Sequence, residues 1–130
     1  MKFSILVLGA PYESQAAYSA LRFAEAALAD GHDIFRVFFY QQGVYTTTQL
    51  AAPPQDEFDC YQAWNSLQAQ YQLDCVTCIA AAARRGIIDT TEAARHNKIG
   101  ASHQPNFVLS GLGQLVEANA RSDRLITFGR

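Results

Sequence analysis

Three cysteines, Cys60, Cys75 and Cys78, are the side chains in this sequence best suited to covalent chemistry. A thiolate can act as a nucleophile, bind a soft metal or close a disulfide, and its pKa and accessibility decide which. Cys75-Val76-Thr77-Cys78 has the C-x-x-C form, which raises a redox pair or half of a zinc site. Neither fits. No second cysteine pair or suitably spaced histidine pair completes a zinc set. The motif lies in, or at the end of, an apolar run that reads as a strand. Residues three apart on a strand face opposite sides, with Cα atoms roughly 10 Å apart at ~3.3 Å per residue, too far for a disulfide.

Cys78 falls near the end of that strand, just before the Ala-rich stretch Ala80–Arg85. Backbone N–H groups at the start of a following helix would favour its thiolate, and Arg84 and Arg85, more than a turn away, would add little. Cys78 also reads as a small buried hydrophobe, and the residues alone leave both readings open. Cys60 and Cys75 read as core. His32, His96 and His103 have no motif tying them to Cys78 and read as surface or loop histidines. The turns Gly9-Ala10-Pro11-Tyr12 and Ser110-Gly111-Leu112-Gly113 match neither G-x-G-x-x-G nor a P-loop, and read as structural turns.

Elements that could position these residues alternate along the chain. Strands are predicted at Phe3–Leu8, Ile34–Tyr40, Asp74–Ile79, Asn106–Leu109 and Arg124–Phe128. Between them, three- and four-residue apolar steps predict a helix from Ser14 to Asp30, stopped by Gly31. Phe58, Tyr61, Trp64, Leu67 and Tyr71 mark one face of a second helix. Short helices follow at Ala80–Arg85 and at Thr90–His96, where Asp89 and Glu92 have capping-box spacing. Ser110 is expected to cap a last helix reaching Arg121, with Leu112, Leu115 and Val116 starting its core stripe. Gln41–Gln55 fits neither period and reads as a long loop, of the kind that is often functional. Asn97–Pro105 reads as a polar loop.

This alternation predicts one three-layer α/β/α domain over residues 1–130 with a five-stranded parallel sheet. Sites in such sheets gather at the carboxyl edge of the strands, so the segments after Leu8, Tyr40, Ile79, Leu109 and Phe128 are the first places to look. Cys78 is the candidate catalytic residue there, and Tyr12, Tyr45, Ser110 and Gly111 are candidates for its rim.

Composition narrows the function classes. Hydrophobic residues make up 49% and charged residues 17% of 130 residues, a globular balance. The net charge is -2 and there is no run of Lys/Arg, so this chain alone is not expected to grip tRNA or DNA directly. No stretch approaches the ~20 apolar residues that span a bilayer, and the six-residue apolar run near the start is short for a signal peptide. A cytoplasmic location with reduced cysteines is the expectation.

The stretch Cys78-Ile79-Ala80-Ala81-Ala82-Ala83-Arg84-Arg85-Gly86 resembles the active-cysteine segment of the DsrE/TusD family. Gly31-His32, Val37-Phe38-Phe39-Tyr40, Gly43-Val44-Tyr45, Ser110-Gly111-Leu112-Gly113-Gln114-Leu115 and Asp123-Arg124-Leu125 with Phe128 carry the resemblance nearly end to end. It implies a sulfurtransferase subunit whose Cys78 thiolate attacks the outer sulfur of a donor persulfide, expels the donor thiolate, and later yields that sulfur to an acceptor. It implies no metal or organic cofactor, and a Cys78 within reach of another protein's cysteine, which the Gln41–Gln55 loop is expected to cover or frame. The implied partners are TusB/TusC-like or DsrH/DsrF-like subunits in a heterohexamer, a TusA-like donor and a TusE/DsrC-like acceptor. Synthesis of 2-thiouridine in tRNA is the first expectation. Sulfur oxidation of the DsrE type is the alternative, and a non-catalytic scaffold with Cys78 in the core is an alternative of another class.

Overall fold

In the computed structural model, which describes residues 1–129, the apolar runs pair into one parallel sheet. The strands are β1 (Lys2–Val7), β2 (Asp33–Phe39), β3 (Cys75–Cys78), β4 (Val108–Ser110) and β5 (Arg124–Phe128), in the order β4-β3-β2-β1-β5. The helices are α1 (Ala16–Ala29), α2 (Cys60–Tyr71), α3 (Ile79–Ala83), α4 (Thr90–Arg95) and α5 (Gly113–Arg121). The three-layer α/β/α architecture expected from the sequence is the one observed.

Strand parity sorts the core into two layers. Ile5, Val7, Val37, Phe39 and Cys75 face α1 and α2, where Ala17, Ala20, Leu21, Ala24, Cys60, Trp64 and Leu67 meet them. Phe38, Val76 and Cys78 face the other way, toward Ala81 and Ala82 of α3, Ile87, Val44 and the half-buried Leu115 of α5. Small residues on α1 let it lie close to the sheet. Trp64 fills the space beyond, edge-on to Phe39 and donating from Nε1 to the Ala17 carbonyl at 3.2 Å.

Turns and caps follow local chemistry. Gly31, at φ +83°, takes the left-handed conformation that ends α1, as the sequence predicts. Asp89 accepts the Glu92 N–H at 2.8 Å and caps α4. Glu92 does not return the bond; its carboxylate turns to Arg95 and His96 instead. On β2, Arg36 is buried and fully partnered, bonding Asp74 at 2.7 Å, Glu117 at 3.0 Å and the Gln114 carbonyl at 2.9 Å. One guanidinium thus ties the entry of β3 to α5, and its burial is tolerable because every face of it is matched.

Four expectations are corrected. Gln41–Gln55 is not all loop: Gln41–Thr47 winds into a 3-10 helix with Gly43, Val44, Thr46 and Thr47 buried. Its i to i+3 repeat leaves no 3.6-residue pattern to read. Ser110 does not cap α5; it is the last residue of β4, and Leu112 occupies the cap position without a side-chain bond. The expected core stripe of α5 is largely outside, with Leu112 and Val116 exposed and Ala118 as its buried residue. Phe58 precedes α2 and, like Tyr71 at its end, is exposed; the buried face of α2 runs Cys60, Trp64, Leu67.

Candidate functional site at the carboxyl edge of the sheet

Cys78 closes β3, and α3 begins at the next residue. Parallel pairing sets it opposite Ser110 of β4, so the register brings two of the candidate site residues together; Gly111 follows, exposed. Tyr45 stands half-exposed on the 3-10 helix, its ring 5.9 Å from the Arg85 guanidinium just beyond α3. Tyr12 has a different task. At φ +69° it projects its hydroxyl to the Phe58 carbonyl and accepts the Cys60 N–H at 3.2 Å, pinning the start of α2.

Three open spaces lie beside Tyr12, Tyr45 and Arg85. A cavity of ≈ 560 Å³ lies among Tyr12, Tyr18, Phe58 and Cys60. A cleft of ≈ 450 Å³ is bordered by Pro11, Glu13, Gln42, Tyr45 and Tyr61. A smaller one of ≈ 370 Å³ runs from Leu8 and Gly9 past Gln42 to Arg85. The residues lining these spaces do not include Cys78.

All three cysteines are free thiols, and all are buried: Cys60 is 3%, Cys75 1% and Cys78 4% exposed. Cys75 and Cys78 face opposite sides of the sheet, so the C-x-x-C pair can neither join nor converge on one ion. Burial pushes the Cys60 thiol up to about 11, with Asp59 adding to the rise. Burial likewise raises Cys75, with a smaller push from Asp74. These two thiols have the inert character expected of core cysteines.

The burial of Cys78 overturns the expectation of an enzyme working through an open, persulfide-transferring thiol. Attack on a donor's sulfur needs in-line access to Sγ, and the closed edge does not grant it. The cover is built from Val44 of the 3-10 helix and Ala81 and Ala82 of α3, which share one apolar cluster with Cys78. Its 3-10 form leaves no periodic signal: Gln41–Thr48 contains a single aliphatic residue, Val44, and is otherwise Gln, Gly, Tyr and Thr.

A second element of the edge also escaped the sequence reading. His103, expected on the surface or in a loop, lies in the loop but is buried. Its Nε2 shares a 2.9 Å hydrogen bond with Thr77 Oγ1, one residue before Cys78. Burial lowers its pKa to about 4, against an opposing pull from Asp89. No periodic signal marks a histidine in a polar loop as core.

Comparison with known proteins agrees with this architecture. The DsrE/DsrF-like family matches residues 1–128. A protein of Allochromatium vinosum recorded under the name "Putative sulfurtransferase DsrE" is 52% identical over 129 residues, 99% of each chain. The crystal structure of the YchN protein from E. coli superposes with a TM-score of 0.80 at 23% identity, covering 98% of this chain and 99% of that one, a likeness of fold. The family match spans nearly every described residue and the relative aligns end to end: the chain belongs to the DsrE/DsrF-like family, the sulfur-relay family that also includes TusD.

Proposed function

We propose that this chain is a DsrE-type subunit of a cytoplasmic sulfur relay that serves sulfur oxidation, built as a single domain. The supporting observation is its 52% identity across 99% of a DsrE-named relative. The tRNA-thiolation branch has no comparable support. Cys78 is the sulfur-bearing position in this reading, with Ser110 and Gly111 beside it and Tyr45 on its cover; Tyr12 stands apart, pinning the start of α2. Because that thiol is closed in the single chain, the subunit does not work alone. Its setting is a heteromeric complex with DsrF/DsrH-like companions, a TusA-like donor and a DsrC-like acceptor. No helix among the described residues is long and apolar enough to cross a membrane.

Disrupting the gene in its own host tests the branch. Impaired oxidation of stored sulfur, with 2-thiouridine in bulk tRNA unchanged, is the expected result. Lost 2-thiouridine with normal sulfur oxidation would overturn it.

A second reading is favoured by one specific observation, the 4% exposure of Cys78. The subunit would then be a non-catalytic scaffold that shapes a companion's site. Sulfur loading of the assembled complex separates the two: an adduct on this chain supports the relay position, and an adduct only on a companion supports the scaffold.

A further inference from the structure

The cover over Cys78 is fastened at its far end. Thr47–Gln49, at the far end of the 3-10 helix, lies antiparallel to Ser102–Gln104. Gln104 N–H donates to the Thr47 carbonyl and Gln49 N–H to the Ser102 carbonyl, each at 2.7 Å. Two side chains reinforce the clasp: Thr48 Oγ1 donates to the Ser102 carbonyl at 3.2 Å, and Gln104 Nε2 to the Thr48 carbonyl at 3.3 Å. From the middle of the clasp His103 drives its ring into the fold, to Thr77 on the strand that ends in Cys78. A second anchor ties the clasp to the chain beyond α3, through Ser102 N–H and His103 N–H to the Ile88 carbonyl at 2.8 and 3.0 Å.

Features of the cover itself show strain in the closed state. Gln41, its first residue, sits at φ +52°, where a non-glycine side chain is disfavoured. Thr46 Oγ1 is fully buried and has no hydrogen-bond partner. A buried hydroxyl without a partner penalises the closed state, and opening would return it to water. Holding the cover down are Val44, completely buried, and Gly43, whose backbone meets that of Val7 so closely that a Cβ there would lie 2.0 Å from the Val7 carbonyl oxygen.

We infer that His103 is a positioning residue that latches the 3-10 helix over Cys78, so that access to the thiol is set by an opening of Gln41–Thr48 rather than by unfolding of the sheet. The occupant that lifts the cover is a protein partner of the relay, since only binding energy spread over a surface can hold open a segment this well packed. This inference deepens the proposed function and rests on Cys78 as the position to be reached. Its test uses a maleimide and no sulfur donor, so a failed latch is distinguishable from a failed relay assignment.

The experiment follows maleimide labelling of each cysteine in the folded full chain, by peptide mass spectrometry, for wild type, His103→Asn and Thr77→Val. Thr77→Val keeps the β-branched shape and removes the hydroxyl, and it decides the question by the same criteria if His103→Asn fails to fold. The expected result is labelling of Cys78 about tenfold faster in either variant, the weight of one buried hydrogen bond on an opening equilibrium. Cys60 and Cys75 keep their wild-type rates. A merely structural role predicts that all three thiols speed up together, and that outcome overturns the latch. An unchanged Cys78 rate in a folded variant overturns it equally.

Discussion

His103 and Thr77 share a 2.9 Å hydrogen bond below the surface, one residue upstream of the thiol that ends β3. The bond joins a polar loop to the central sheet. It does so from the side of the sheet opposite Cys78, because Thr77 and Cys78 alternate across the strand. The loop therefore grips the sheet on one face while its backbone holds the cover over the other.

This placement makes stability depend on pH. Folding lowers the His103 pKa from 6.5 to about 4, by burial. As pH falls below 6.5, the unfolded chain takes up a proton that the folded chain refuses until about pH 4. Stability from this group is complete above pH 6.5 and declines across that window, by up to about 3 kcal/mol at ~1.4 kcal/mol per unit. Urea unfolding from pH 7 to pH 4 should show a shallower decline in His103→Gln than in wild type. Identical slopes would contradict the assignment.

Gly43 is required by a close approach rather than by its own torsion angles. A Cβ added there meets the Val7 carbonyl oxygen at 2.0 Å, and both partners are backbone. Gly43→Ala should destabilise the chain by about 2–3 kcal/mol, the usual cost of forcing backbone apart in a packed region. Chemical denaturation measures it, and a change below 0.5 kcal/mol, the ordinary range of surface substitutions, would contradict it.

Trp64 is the largest fully buried side chain. Trp64→Ala removes the edge-on contact with Phe39 and the hydrogen bond from the indole N–H to the Ala17 carbonyl. A loss of about 3–5 kcal/mol is expected. Urea unfolding monitored by far-UV circular dichroism reports it, and a loss under ~1 kcal/mol would show that the α1–α2 layer packs otherwise.

Much of the scaffold was legible because apolar periodicity and turn residues report directly on burial. The runs at Phe3–Leu8 and Ile34–Tyr40 became β1 and β2 within one residue at each end, and the parity of Cys75 and Cys78 separated them before any coordinates. Legibility ended where burial and polarity part company. Thr46, Thr47 and His103 are polar residues taken into the core by tertiary contacts, so the 3-10 helix of the cover and the buried histidine behind it left no trace in the pattern. Leu112 and Val116 failed in the opposite sense, apolar residues left on the surface of α5. Cys78 was expected at the end of its strand with the Gln41–Gln55 loop covering or framing it; no local signal carries how completely that segment, more than thirty residues upstream, closes it.

Sulfur loading of the complex assembled with its companion subunits tests the central claim most directly. Intact-protein mass spectrometry after incubation with a persulfide donor should find a one-sulfur increment on this chain. The increment should be absent from Cys78→Ser in the same complex and absent from the isolated wild-type chain, whose thiol is covered. An increment that survives Cys78→Ser, or a complex that loads sulfur only on its other subunits, would contradict the account.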